Sequence, residues 1–170
     1  MEDFLPKYPD ISESIYPLFN AYTSSFETIL NSKYEFYKNR LEKYEEVPTE
    51  KGVLLKHQIF ISRFLSHRTL YDSILLMHGM GSGKTCSSIG VNEENKKKFR
   101  GALILAKNDN ILRNYQNELV HKCTTGQYIP RQYENLTDLE RIHRINKLTS
   151  YYKRETFEIF SKELNKFSNE

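Results

Sequence analysis

An α/β fold is what this sequence predicts: a parallel sheet with crossover helices, preceded by an N-terminal helical extension. Three observations carry it. Two short apolar runs of strand length, Ser73–His78 and Gly101–Ala106, alternate with segments of helical period. The first run flows directly into HGMGSGKT, residues 78–85, a glycine-rich turn that opens a helix. Ahead of both, residues 1–46 repeat apolar side chains at steps of three and four.

The extension comes first in the chain. Ile15, Leu18, Phe19, Tyr22, Phe26, Ile29, Leu30, Tyr34, Tyr37, Leu41 and Tyr44 fall on one side of a helical projection. Glu27, Lys33, Glu35, Lys38, Arg40, Glu42 and Lys43 fill the other side, so the aromatic stripe reads as a packing face. It is also the candidate docking element for a protein partner. Residues 47–52 read as a turn or linker, and an α/β domain portion is expected over 47–170. Within it, a helix is predicted over 54–65, a buried strand over 73–78 and a helix over 85–91. A solvated turn follows around 93–98, then a strand over 101–106 and a helix over 110–120. After a loop containing Pro130, helices are expected over 136–148 and 156–167, with a short strand near Ser150.

Composition narrows the classes. The 170 residues carry a net charge of +3, which permits contact with nucleic acid without requiring it. No apolar stretch approaches the roughly 18 residues of a membrane helix, so no membrane association is expected. The acidic, proline-broken start Met1-Glu-Asp-Phe-Leu-Pro does not read as a secretory signal, and the expected location is intracellular rather than secreted. Cys86 and Cys123 show no CxxC spacing, and no second ligand pair follows His121 and Cys123, so no zinc site is expected.

The glycine-rich turn carries the chemistry. The first N–H groups of a helix have no partner within the helix. Gly79, Gly81 and Gly83 permit positive φ and close approach, so successive N–H groups can wrap an anionic phosphate at the positive end of the helix dipole. Lys84 can reach the β- and γ-phosphates, and the Thr85 hydroxyl can ligate Mg²⁺. The stretch His78, Gly79, Met80, Gly81, Ser82, Gly83, Lys84 and Thr85 is therefore the predicted binding site for ATP and Mg²⁺. A bland turn would leave the adjacent Lys-Thr unexplained.

The strict form of this loop has glycine where His78 stands. The relaxed form resembles that of superfamily 2 helicase-type motors. Such motors often carry a glutamine in an L-x-x-[HY]-Q stretch upstream, and Leu54-Leu55-Lys56-His57-Gln58 resembles it. The resemblance makes Gln58 the candidate adenine reader, since one amide both donates and accepts; His57 reads as a packing residue. Ala102 to Leu119 resembles the next motor motif, which implies nucleic-acid backbone contacts at Lys107, Asn108 and Asn110.

Longer stretches agree: Phe64 to Cys86, Asn117 to Thr124 and Tyr152 to Phe160 resemble DEAD/SNF2-like helicases of large cytoplasmic DNA viruses, relatives of early-transcription-factor and NTPase subunits. The resemblance implies a partial RecA-like fold, ATP, Mg²⁺, a single- or double-stranded nucleic-acid partner engaged through the remainder of the motor, and a location in host cytoplasm or virion. A motor also needs an apolar strand ending in Asp-Glu. The candidates after residue 101 include Asp138, Glu140, Glu155 and Glu158, and none closes an apolar strand. The expectation is thus an N-terminal portion that binds ATP but is truncated before that motif. The alternative is a stand-alone nucleotide-binding or interaction module without motor activity. Arg141, Arg144, Lys147, Lys153 and Arg154 are the candidates for a further basic face.

Overall fold

The computed structural model describes residues 30, 33–39, 52–77, 79 and 81–167. The predicted extension over 1–46 therefore lies outside the described residues except for Leu30 and 33–39, and His78 and Met80 of the loop lie outside them too. The architecture is mixed helix and parallel strand, that of a partial RecA-like α/β domain. The chain divides into two compact units.

The described part of the first unit falls before Pro48 and in Leu54–Asn95. It holds α1 (Tyr34–Tyr37), α2 (Lys56–Phe64) and α3 (Lys84–Asn95). Phe36 of α1 is fully buried, with Phe60 and Phe64 of α2 and then Tyr71 packed around it and Leu30. The Phe64 and Tyr71 rings stack at 4.1 Å. Of the predicted stripe, Leu30 is buried, but its aromatic members Tyr34 and Tyr37 are exposed; the packing here is carried by Phe36, which the stripe did not include.

Helix α2 begins because Gln58 accepts the Leu55 N–H, at 2.9 Å, satisfying one of the orphan donors of a helix start. Its buried positions Gln58, Ile61 and Ser62 follow the helical step. Against them lie Ile89 and Gly90 of α3, both buried. A Cβ on Gly90 would meet Ser62 Oγ at 2.5 Å and Leu54 Cδ1 at 2.8 Å, so only glycine lets the two helices approach this closely. At the other end Asn95 closes the pair: it donates to Leu65 O and accepts from the His67 N–H, with Arg63–Glu94 alongside at 2.6 Å. Those contacts explain why α3 runs to Asn95, where the sequence reads a turn from Glu93.

Among the described residues the strand expected over 73–78 does not form. Residues 71–77 take no regular secondary structure, and Leu75 and Met77 are 84% and 86% exposed. An apolar run becomes a strand only when a neighbour supplies the ladder, and periodicity alone does not identify that neighbour.

The second unit comprises Thr49–Val53 and the chain from Lys96. Its sheet pairs β1 (Ala102–Ala106) with β2 (Tyr152–Thr156) in parallel, Ala102 opposite Tyr152 and Ala106 opposite Thr156. Between them run α4 (Asp109–His121), a 3₁₀ turn over Tyr133–Asn135, and α5 (Asp138–Leu148); α6 (Phe157–Phe167) follows β2. A parallel pair demands such a crossover. Leu112, Tyr115, Leu119 and Val120 of α4 are buried with Tyr128 and Tyr152, whose rings lie 6.2 Å apart. Gly52, with φ of +84°, donates to Lys122 O; a Cβ there would strike the Thr124 carbonyl.

Candidate nucleotide-binding site

The site is built on the turn between segment 71–77 and α3. Gly81 and Gly83 adopt φ of +79° and +77°, the left-handed conformation their lack of a side chain permits. Lys84 and Thr85 are the first two residues of α3, so the loop ends on a helix N-terminus as the sequence predicts. Lys84 is exposed, and its Nζ donates to Gly79 O at 2.8 Å. Ser82 Oγ donates to the same carbonyl at 2.8 Å. The lysine thus lies across the turn from its helix end to Gly79. Two left-handed glycines, a helix start, a solvent-facing ammonium and a hydroxyl at Thr85 form the donor set that a nucleoside triphosphate with Mg²⁺ requires.

Two side chains of α2 support the turn. Gln58, 3% exposed, donates through Nε2 to Gly83 O at 3.1 Å while its Oε1 serves Leu55. One N–H and one lone pair of that amide remain for another partner. His57 Nε2 lies 3.2 Å from Ser82 O. Its part in the loop is not visible in the sequence, because the contact spans 25 positions; its one signal is adjacency to Gln58. A Cβ at Gly83 would land on the Gln58 amide.

The remaining candidates lie in the second unit. Lys107, Asn108 and Asn110 are exposed around the β1–α4 turn. Asn108 is the N-cap of α4, accepting the Ile111 N–H at 3.1 Å. The carboxylates have local tasks. Glu140 closes a capping box with Thr137, Asp138 faces Arg141 and Glu158 faces Lys162. The hydrogen bonds from the Thr137 side chain and backbone hold the Glu140 carboxyl below its ordinary range. Glu155 is buried in β2; Lys153 takes one of its oxygens at 2.7 Å, and the other has no partner. The basic residues are also engaged. Lys153 sits between Glu155 and Glu163, which raise its pKa, and Arg141 donates to the Tyr133 and Glu134 carbonyls. Arg154 reaches toward Asn146, and burial pushes its guanidinium below its ordinary value. These contacts do not assemble a free basic face.

No protein-family profile matches the chain, and no solved structure does. Relatives among viral proteins do match. "Putative helicase 087L" of Invertebrate iridescent virus 3 is 34% identical over 178 residues, 98% of this chain and 17% of the relative. "Putative helicase 009L" of Frog virus 3 is 42% identical over 118 residues, 67% of this chain and 12% of the relative. "Putative ATP-dependent RNA helicase R563" of Acanthamoeba polyphaga mimivirus is 26% identical over 106 residues, 56% of this chain and 18% of the relative. The chain therefore spans less than a fifth of each relative's length, and over that stretch it is similar to helicase-named proteins of large DNA viruses.

Proposed function

We propose that this chain is the ATP-binding portion of a superfamily 2 nucleic-acid-dependent ATPase of viral, transcription-related type. The observation that carries the reading is the turn itself: two left-handed glycines deliver the chain into Lys84 and Thr85 at the start of α3. On this reading Gly79, Gly81, Ser82 and Gly83 wrap the phosphates together with His78 and Met80. Lys84 meets the β- and γ-phosphates and Thr85 ligates Mg²⁺. Gln58 offers its remaining N–H and lone pair to the adenine edge, while Lys107, Asn108 and Asn110 meet a nucleic-acid backbone. The bound Mg²⁺–triphosphate supplies the phosphoryl group to be transferred; this chain's residues bind and orient it. The helicase names of the relatives support the class, and residues 1–46 are proposed as a helical extension ahead of the ATP-binding portion.

The test is calorimetry with Mg²⁺–ATP. Lys84→Ala removes a charge-assisted hydrogen bond of about 1.5–3 kcal/mol and should weaken affinity roughly 10- to 150-fold. Equal affinity in both proteins refutes the reading. Phosphate release by the 170-residue chain should stay at the level of the Lys84→Ala control, with or without single-stranded DNA or RNA. Turnover that nucleic acid stimulates and Lys84→Ala abolishes would instead assign a catalytic carboxylate within the chain, with buried Glu155 the first to substitute.

A further inference from the structure

We propose that His57 and Gln58 are positioning residues that aim the phosphate loop, by holding two successive loop carbonyls against α2. The inference rests on the phosphate-binding reading above and names residues that make it work. A trans peptide is planar, with its C=O and N–H on opposite sides. Holding the carbonyl of one peptide therefore fixes where the next residue's N–H points. His57 Nε2 holds Ser82 O at 3.2 Å, and Gln58 Nε2 holds Gly83 O at 3.1 Å. Both acceptors are carbonyls, so His57 presents the tautomer protonated on Nε2.

The consequence falls on the N–H groups of Gly83 and Lys84. Each belongs to a peptide whose carbonyl faces α2, so both point away from α2. Two neighbouring N–H groups fixed on one side make a concave anion site. Without the tethers, Gly81 and Gly83 would sample the mirror conformations glycine visits freely, and much of the binding free energy would be lost in ordering the loop. The Gly83 carbonyl is held by three donors, since it also accepts the Ser87 N–H at 3.0 Å and the Ser87 hydroxyl at 3.3 Å. The tethers have a firm base as well. Gln58 is anchored by the Leu55 N–H, and α2 is seated on α3 through Gly90 and Asn95. Position 83 must be glycine on both counts, its φ and the space the Gln58 amide occupies.

This separates two roles for the 57–58 pair that a ligand without a base can distinguish. Affinities of the 170-residue chain are measured by calorimetry for Mg²⁺–ATP, Mg²⁺–GTP and Mg²⁺–tripolyphosphate, with thermal melting run alongside. His57→Ala should weaken all three by one common factor of about 3- to 10-fold, the loss of one neutral hydrogen bond. His57→Gln, which returns an N–H donor at similar reach, should recover most of that affinity. Gln58→Ala should weaken tripolyphosphate too, beyond any change in the ATP/GTP ratio. Tripolyphosphate affinity unchanged in both alanine variants overturns the proposal. So does a His57→Ala chain that melts earlier yet binds normally, or a loss that His57→Gln does not recover. If Lys84→Ala loses binding while His57→Ala does not, only the positioning role falls. A wild-type chain that binds none of the three removes the phosphate-loop reading and this inference together.

Discussion

Two turns of this protein lead into helices, and they treat the helix start in opposite ways. At the β1–α4 turn the chain satisfies its own orphan donors: Asn108 is extended, and its side chain accepts the Ile111 N–H. At the turn into α3 no such capping residue precedes the helix. Gly83, which has no side chain, stands directly before Lys84, and the carbonyls behind it are drawn to His57 and Gln58. The first turn spends its donors on stability. The second places side chains of α2 on its carbonyls instead, and the residue before its helix supplies no cap. Topology alone does not decide how a helix start is satisfied; what occupies the residue before the helix does.

The comparison breaks most sharply at the glycines. Gly83→Ala should lose triphosphate binding and destabilise the fold, because a left-handed alanine costs roughly 1–2 kcal/mol and its methyl also evicts Gln58. Gly81→Ala carries the same backbone cost, with φ of +79°, but its Cβ meets nothing within 4 Å. It should therefore be the milder variant in both urea unfolding and calorimetry. Equal damage from the two would mean that eviction of Gln58 contributes nothing.

The next effect tests the self-capped turn. Asn108→Ala should destabilise by about 1 kcal/mol, the usual cost of an N-cap, and Asn108→Ser should restore most of it. In fluorescence anisotropy with a labelled single strand, Lys107→Ala should lower the salt slope by about one phosphate contact. If Asn108 also touches nucleic acid, Asn108→Ser should restore stability without restoring affinity. Recovery of both together would leave Asn108 as a cap alone.

The smallest effect is a dependence on pH at the other well-capped helix, α5. Thr137 holds the Glu140 carboxyl below its ordinary value, so its contribution is complete above the ordinary glutamate range. That contribution is lost as pH falls through the lowered value and the carboxylate protonates. Glu140→Gln should flatten this part of the melting-temperature profile. A profile identical to wild type would show that the capping box does not titrate within the fold.

What the sequence reveals follows the range of the interactions. The helix expected over 136–148 forms at Asp138–Leu148, its start set by the local Thr137–Glu140 capping box. The glycine turn into a helix at Lys84 was equally legible, since consecutive residue types set its backbone. Non-local partners were not. Segment 73–78 reads as a strand because it is apolar, yet a ladder depends on a neighbour that pattern cannot name. Helix α3 outlasts its predicted end because Glu94 and Asn95 find Arg63, Leu65 and His67 across some thirty positions. His57 was read as a packing residue for the same reason, its partner lying in the loop. The resemblance to a motor motif implies a nucleic-acid contact at Asn108, and its capping of α4 is a local role that this resemblance does not name.

The close seat of Gly90 also has a mechanical meaning. Helix α2 is fastened to the loop at its first turn, to the middle of α3 through Ser62, and to the end of α3 through Asn95 and Arg63. Fastened at three points, it acts as a stiff arm rather than a hinge. Strain put on the loop would thus be shared along the whole α2–α3 pair, over the roughly 13 Å of the nine-residue α2, rather than absorbed at one flexible joint.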